Sequence, residues 1–161
     1  MPRARSVVML FLLAGLVLSA GLTGEGLLGS GAAAATGNGE NAVPLVTADE
    51  FMEWLEGKDL AFLELWDPGC PFCRMAEPVL SRLSEEMNLN LVKVDINEPE
   101  NLWLVRELNL TQTPTIWAFI DGRAVQPPIV GYLGEEGYRE TFEAIARFAE
   151  KRRARASASA Q

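Results

Sequence analysis

The sequence predicts an α/β domain with a mixed central sheet of four to five strands flanked by helices. Three observations carry that expectation. Stretches with apolar residues at helical spacing alternate with short, nearly continuous apolar runs of strand length. Asp121-Gly122 lies between two such runs and has the chemistry of a tight hairpin turn, so one strand pair is antiparallel. Of the 161 residues, 48% are hydrophobic, which suffices for one packed core with tails.

The elements follow in order. Thr47 and Glu50 have the spacing of a capping box, and the helix they open runs through Phe51, Trp54 and Leu55 to a stop at Gly57. Leu60 to Trp66 is a buried strand. A helix begins at the cysteine motif, with Met75, Val79, Leu80 and Leu83 as its apolar stripe as far as Met87, and Pro78 is expected to kink it. Leu91 to Ile96 is a second strand. Pro99 suits the first turn of a helix through Leu102, Val105 and Leu108. Thr115 to Ile120 is a third strand, and the hairpin turn leads to a fourth, which Pro127-Pro128 confines to a sheet edge. A last helix is expected from about Glu135 to Glu150, with Phe142, Ile145 and Phe148 on one face.

The two ends differ from this middle. Arg3 and Arg5 precede an apolar segment from Val7 to Leu18, and small residues follow at Ser19-Ala20-Gly21 and Ala32 to Ala35. Residues 1–35 are therefore expected to be a signal peptide or an N-terminal membrane anchor, with a linker to about residue 42. Both versions place the domain of residues 43–150 outside the cytoplasm, in the periplasm or an equivalent compartment, where it is either free or anchored to the inner membrane. Residues 151–161 form a basic, Ala/Ser-alternating tail expected to be disordered. The net charge is -8; setting aside the neutral first 42 residues and the +4 of residues 151–161 leaves -12 on the middle. A surface so acidic excludes nucleic acid as the expected partner.

The chain has no histidine and only two cysteines, Cys70 and Cys73. The first fact removes Ser-His and Cys-His nucleophile pairs. The two together fall short of the four Cys/His ligands of a structural zinc site, so no metal is expected. A disulfide across so short a loop constrains the unfolded chain little, which makes a structural staple a poor reading. Redox chemistry is what remains. Residues i and i+3 are neighbours on a helical turn, so Cys70 and Cys73 can close a disulfide without large backbone movement. Cys70 falls at a strand-to-helix junction, where free N–H groups and the helix dipole favour a thiolate. Cys70 is thus the expected nucleophile and Cys73, one turn inside, the resolving thiol.

The stretch from Phe62 to Pro78, with Trp66-Asp67-Pro68-Gly69-Cys70-Pro71-Phe72-Cys73 at its centre, resembles the active-site strand and helix of the thioredoxin family. Thr113-Pro114-Thr115 ahead of a strand and Gly131-Tyr132-Leu133 ahead of the last helix extend the resemblance over roughly residues 43–150. It implies a thioredoxin-like fold and thiol:disulfide oxidoreductase activity, with the Cys70–Cys73 disulfide in place of any cofactor. Cys70 falls on the family's attacking thiol and Cys73 on its resolving thiol. Pro114 falls on a cis-proline facing the disulfide, and Thr113 on the residue whose backbone pairs with a substrate strand. The spacers Pro71 and Phe72 are expected to face substrate with them. Glu64 falls on a buried acid that moves a proton to or from the resolving thiol, and burial in a strand is expected to raise its pKa. The family usually carries Asp there, so Glu is a departure. Trp66 and Lys93 fall on supporting positions, a tryptophan beside the site and a lysine near the acid, though a core aromatic and a surface charge account for them equally well.

Other departures concern the chemistry. Gly69 stands where cytoplasmic thioredoxins have Trp, and Pro71-Phe72 where they have Gly-Pro. The periplasmic disulfide oxidase with a Cys-Pro-x-Cys motif carries His as the second spacer, and Phe72 cannot stabilise a thiolate by charge as that His does. A less oxidising couple is therefore expected. The motifs together are similar to exported thioredoxin-like proteins encoded with bacterial sulfur-oxidation genes. That resemblance implies a reductase re-reduced by a membrane electron donor. The expected substrates are exported proteins or small thiols, and since residues 1–42 are too short to supply the dimerisation domain of the superfamily's isomerases, a monomer is expected. A periplasmic oxidase and a non-catalytic binding module that holds a partner strand at Thr113-Pro114 stand as alternatives.

Overall fold

The computed structural model describes residues 42–159, so the expected signal peptide or anchor and its linker lie outside the described residues. Among the described residues, no helix is long and apolar enough to cross a membrane. The elements are α1 (Ala48–Leu55), β1 (Leu60–Trp66), α2 (Pro71–Glu86), β2 (Leu91–Asp95), a 3-10 turn (Pro99–Asn101), α3 (Leu102–Glu107), β3 (Thr115–Ile120), β4 (Arg123–Val130) and α4 (Gly134–Ser159).

The strands form a four-stranded mixed sheet of order β2-β1-β3-β4. β1 runs parallel to β2 through the α2 crossover and antiparallel to β3, and the β3–β4 hairpin is antiparallel. Asp121 and Gly122 both take positive φ, 52° and 72°, as a two-residue hairpin turn requires. Pro127 and Pro128 lie in β4, an edge strand, and the ladder slips between Ile116 and Ala118 opposite them. Proline has no N–H to give the ladder, so it is tolerated at this edge.

Alternation along the strands sends residues to two cores. One face of the sheet, with Phe62, Leu91, Ile116 and Ala118, packs under α2 (Ala76, Val79, Leu80, Leu83) and α4 (Tyr138, Phe142). The other, with Leu63, Leu65, Val92, Val94 and Phe119, packs under α1 (Phe51, Leu55) and α3 (Leu104). Phe62 and Phe142 meet edge to face at 4.8 Å across the first core. The Thr47–Glu50 capping box is formed in both directions, satisfying two free amides at the start of α1.

Four expectations need correction. Helix α4 does not stop at Glu150 but runs to Ser159, so residues 151–159 are helical rather than disordered. Arg and Ala are strong helix formers, and Arg153 forms an ion pair with Asp59 across the surface. The buried face of α4 is Tyr138, Phe142 and Ala149, and Phe148 is exposed. In α2, Met75 is exposed and Cys73 and Ala76 take the buried positions, while the helix continues across Pro78. The third helix opens at Pro99 with one 3-10 turn and is α-helical only from Leu102, with Asn101 at the junction. Asn101 is buried, its Oδ1 accepts from the Ala48 N–H at 2.7 Å, and its Nδ2 donates to the Asp95 carbonyl at 2.8 Å.

Candidate active site at the N-terminus of α2

A tight turn aims Cys70. The Gly69 N–H donates to Asp67 Oδ1 at 2.7 Å and the Cys70 N–H to the Asp67 carbonyl at 3.1 Å, folding Asp67-Pro68-Gly69-Cys70 back at the end of β1. A Cβ on Gly69 would stand 3.2 Å from Asp67 Oδ1, so a residue without a side chain suits this turn. Cys70 is then the N-cap of α2, with extended φ and ψ of -78° and 120°, and Pro71 is the first helical residue. Proline fits there because that position needs no amide partner.

The two thiols occupy different environments. Cys70 is partly exposed, Cys73 is fully buried, and both are free thiols. Burial works against the Cys70 thiolate, but the Thr113 side chain and the Cys73 and Phe72 amides of the first helical turn outweigh it, and its pKa lies below the ordinary thiol value. One contact opposes this balance: the protonated Cys70 Sγ donates to the Thr113 carbonyl at 3.5 Å, which favours the thiol. The net direction follows from several donors aimed at one sulfur, the Thr113 side chain first. Burial pushes the Cys73 thiol up to about 12. At neutral pH the thiolate is therefore favoured on Cys70 and disfavoured on Cys73.

The peptide bond before Pro114 is cis, and the Thr113 carbonyl faces Cys70 Sγ. Pro114 is buried, and its carbonyl accepts from the Gly131 N–H at 2.8 Å. The Tyr138 hydroxyl donates to the Gly131 carbonyl at 3.0 Å, so the turn before α4 is held from both sides. Pro71 and Phe72 are exposed on the same rim as Cys70, Phe72 at 56%.

Beneath this rim lies a buried acid. Glu64 on β1 is 0% exposed, and neither carboxylate oxygen has a hydrogen-bond partner. Burial first, then the negative charge of Glu77, raises its pKa to about 8, against the pull of Lys93. Lys93, directly opposite Glu64 in the β1–β2 register, is buried rather than a surface charge. Its ammonium forms an ion pair with Glu77 of α2 and lies 4.7 Å from the centre of the Trp66 ring. Trp66 thus packs beside the site against this cation, and its own Nε1–H is buried without a partner. The structure brings together Cys70 and Thr113 at the rim, their neighbours Cys73 and Pro114 buried, and Glu64, Lys93 and Trp66 below. Among the described residues, no cluster of three or more His, Cys, Asp or Glu is arranged to hold a metal ion.

A family model described as thioredoxin matches residues 42–143. The chain belongs to the thioredoxin family. It is 34% identical to a thioredoxin of Bacillus subtilis over 90 residues, which cover 55% of this chain and 82% of that protein. It is 32% identical to a thioredoxin of Porphyra purpurea over 89 residues, 55% of this chain and 83% of that one. Among solved structures, spinach chloroplast thioredoxin f superposes with a TM-score of 0.57 at 26% identity, covering 68% of this chain and 95% of that chain. A mutant thioredoxin from Halobacterium salinarum superposes with a TM-score of 0.58 at 25% identity, covering 65% of this chain and 90% of the other. With the cysteine pair in place, this thioredoxin-family protein is a thiol:disulfide oxidoreductase.

Two residues of this thioredoxin site were not singled out from the sequence. Glu77 holds Lys93, and its position four residues after Cys73 on one helix face was the available signal. Tyr138 packs against the Glu64 side of the core, and its own pKa is raised by burial first and then by Glu64. An isolated tyrosine in a helix carries no such signal in sequence.

Proposed function

We propose that this protein is an exported reductase that exchanges the Cys70–Cys73 dithiol with disulfides of exported proteins or small thiol compounds. The single observation that carries the chemistry is the asymmetry of the pair, a partly exposed Cys70 with a favoured thiolate and a buried Cys73 with its thiol pushed up to about 12. In the forward step, Cys70 thiolate attacks a substrate disulfide, forming a Cys70–substrate bond and releasing one substrate thiolate, which takes a proton from water. Glu64, as carboxylate, then accepts the Cys73 proton. Cys73 attacks Cys70 Sγ, closes the Cys70–Cys73 disulfide and releases the second substrate thiolate, which takes a proton from water, and Glu64 gives its proton back to solvent. The substrate gains two electrons and the cysteine pair loses two.

Reduction is favoured over oxidation by the residue between the cysteines. Phe72 offers no positive charge, so the thiolate rests on neutral donors alone, the Thr113 and Cys73 side chains and the helix amides, and the reduced form lacks the stabilisation that makes a strong oxidant. Export is supported by Arg3, Arg5 and the apolar segment from Val7 to Leu18. In this reading Thr113 and Pro114 hold the substrate strand beside Pro71 and Phe72. The protein works as a monomer, and a membrane electron donor restores the dithiol, as in exported thioredoxin-like proteins linked to sulfur oxidation.

The test is the equilibrium potential of Cys70–Cys73 against glutathione, run beside insulin reduction with dithiothreitol. A potential near -270 mV, roughly that of thioredoxin, with turnover lost in Cys70→Ser, is the expected result. A potential near -120 mV, roughly that of the strong periplasmic oxidase, would reverse the direction. Full turnover in Cys70→Ser would remove the mechanism.

A further inference from the structure

A buried lysine directly opposite a buried glutamate in a parallel strand pair is placed to neutralise it. Here it does not. The Lys93 ammonium, with 2% of its side chain exposed, is taken by Glu77 of α2, whose side chain is 24% exposed. Both Glu64 oxygens are left without a partner. Glu77 lies one helical turn beyond Cys73 on the face of α2 that covers β1 and β2. The Trp66 ring, 4.7 Å from the ammonium, supports the cation in that position.

We propose that Glu77 is a positioning residue for the resolving step: by holding the Lys93 ammonium, it keeps Glu64 unpaired and free to exchange a proton with Cys73. This rests on Glu64 acting as the proton relay. Without Glu77, the ammonium still has Glu64 opposite it in the strand register. A Glu64–Lys93 ion pair would fix Glu64 as a carboxylate whose affinity for the Cys73 proton is weaker. The relay would then hold its charge at lower pH but accept the proton less readily. The titratable groups that act on Glu64 are Glu77 from α2, Cys70 at its N-cap, Lys93 from β2 and Tyr138 from α4; on β3 its register partner is Ile116, which does not titrate.

The experiment follows resolution in a single turnover. Reduced full-length protein is mixed with an aromatic disulfide that releases one chromophoric thiolate when Cys70 attacks and a second when Cys73 resolves. The second release is recorded from pH 5 to pH 10. In the wild type, its rate is expected to rise tenfold per pH unit to an inflection near about 8. In Glu77→Gln, the inflection is expected to fall by about one pH unit or more, with a lower plateau, because a cation now sits on the relay. Glu77→Asp, which keeps a carboxylate for the ammonium, should restore the wild-type profile. Comparing Glu77→Gln with the Glu77→Gln, Lys93→Met double variant separates the two ways Glu77 can act. The shift caused by Glu77→Gln should shrink when Lys93 is Met, since no ammonium is left to redirect and only the direct effect of the Glu77 charge on Glu64 remains. An unchanged inflection in Glu77→Gln overturns the proposal, and so does a shift of equal size in both backgrounds, which would mean that Glu77 acts through its own charge. An inflection that survives in Glu64→Gln overturns the relay itself and the proposal with it.

Discussion

Glu64→Gln tests the buried acid by stability rather than by turnover. Its carboxyl titrates near an ordinary 4.5 in the unfolded chain and at about 8 in the folded one. The folded pKa is the higher of the two, so the unfolded state loses its proton first. Stability is therefore greatest below pH 4.5, falls as pH rises and levels off above about 8. At ~1.4 kcal/mol per pH unit, the full interval from 4.5 to about 8 costs about 5 kcal/mol, and about 3 kcal/mol of this is present at pH 7. Glutamine matches the side chain in size and cannot ionise. Urea denaturation of the reduced protein at pH 4.5, 7 and 8.5 measures the difference. Wild type and Glu64→Gln should differ by a small constant at the lowest pH. The variant should then gain about 3 kcal/mol relative to wild type at pH 7 and about 5 kcal/mol at pH 8.5. A difference that does not change with pH would refute the reasoning, because Glu64 would then titrate alike in both states.

Other expectations are quicker to check. Iodoacetamide at pH 7 should label Cys70 and leave Cys73 untouched, read as one added mass by mass spectrometry; equal labelling would contradict the asymmetry of the pair. Cys73→Ser should form a mixed disulfide with substrate and stall there, visible as a stable adduct on a non-reducing gel, whereas Cys70→Ser should form none. Tyr138→Phe removes the hydrogen bond to the Gly131 carbonyl and should cost about 1 kcal/mol in denaturant melts. Phe142→Ala, which empties the contact with Phe62, should cost about 3–5 kcal/mol by the same measurement.

The elements that sequence resolved well are those where one signal dominates. Thr47 and Glu50 cap a helix by local chemistry, and Asp121-Gly122 turns a hairpin by backbone preference; both operate within four residues. The active-site pair was legible for the same reason, since spacing and a strand-to-helix junction are local facts. Where sequence fell short, distant partners decided. The buried Asn101 side chain is bound to Ala48, more than fifty residues away in the chain. The extension of α4 past Glu150 and the tie between Arg153 and Asp59 are likewise matters of tertiary placement. Lys93 was balanced between surface charge and supporting role because its true partner, Glu77, sits on another element. A periodic pattern reports which face of a helix is buried but not which charge waits opposite.

Only one of the two sulfurs meets solvent. Electrons therefore enter and leave the protein through a single doorway at Cys70. The molecule that supplies them and the molecule that receives them must take turns on the same rim, with no complex in which both are bound. Traffic becomes a matter of competition: an abundant acceptor delays recharging by occupying the doorway, and an abundant donor delays delivery. Steady-state kinetics with two varied thiol partners should give parallel double-reciprocal lines, the mark of a shuttle that empties before it is filled again.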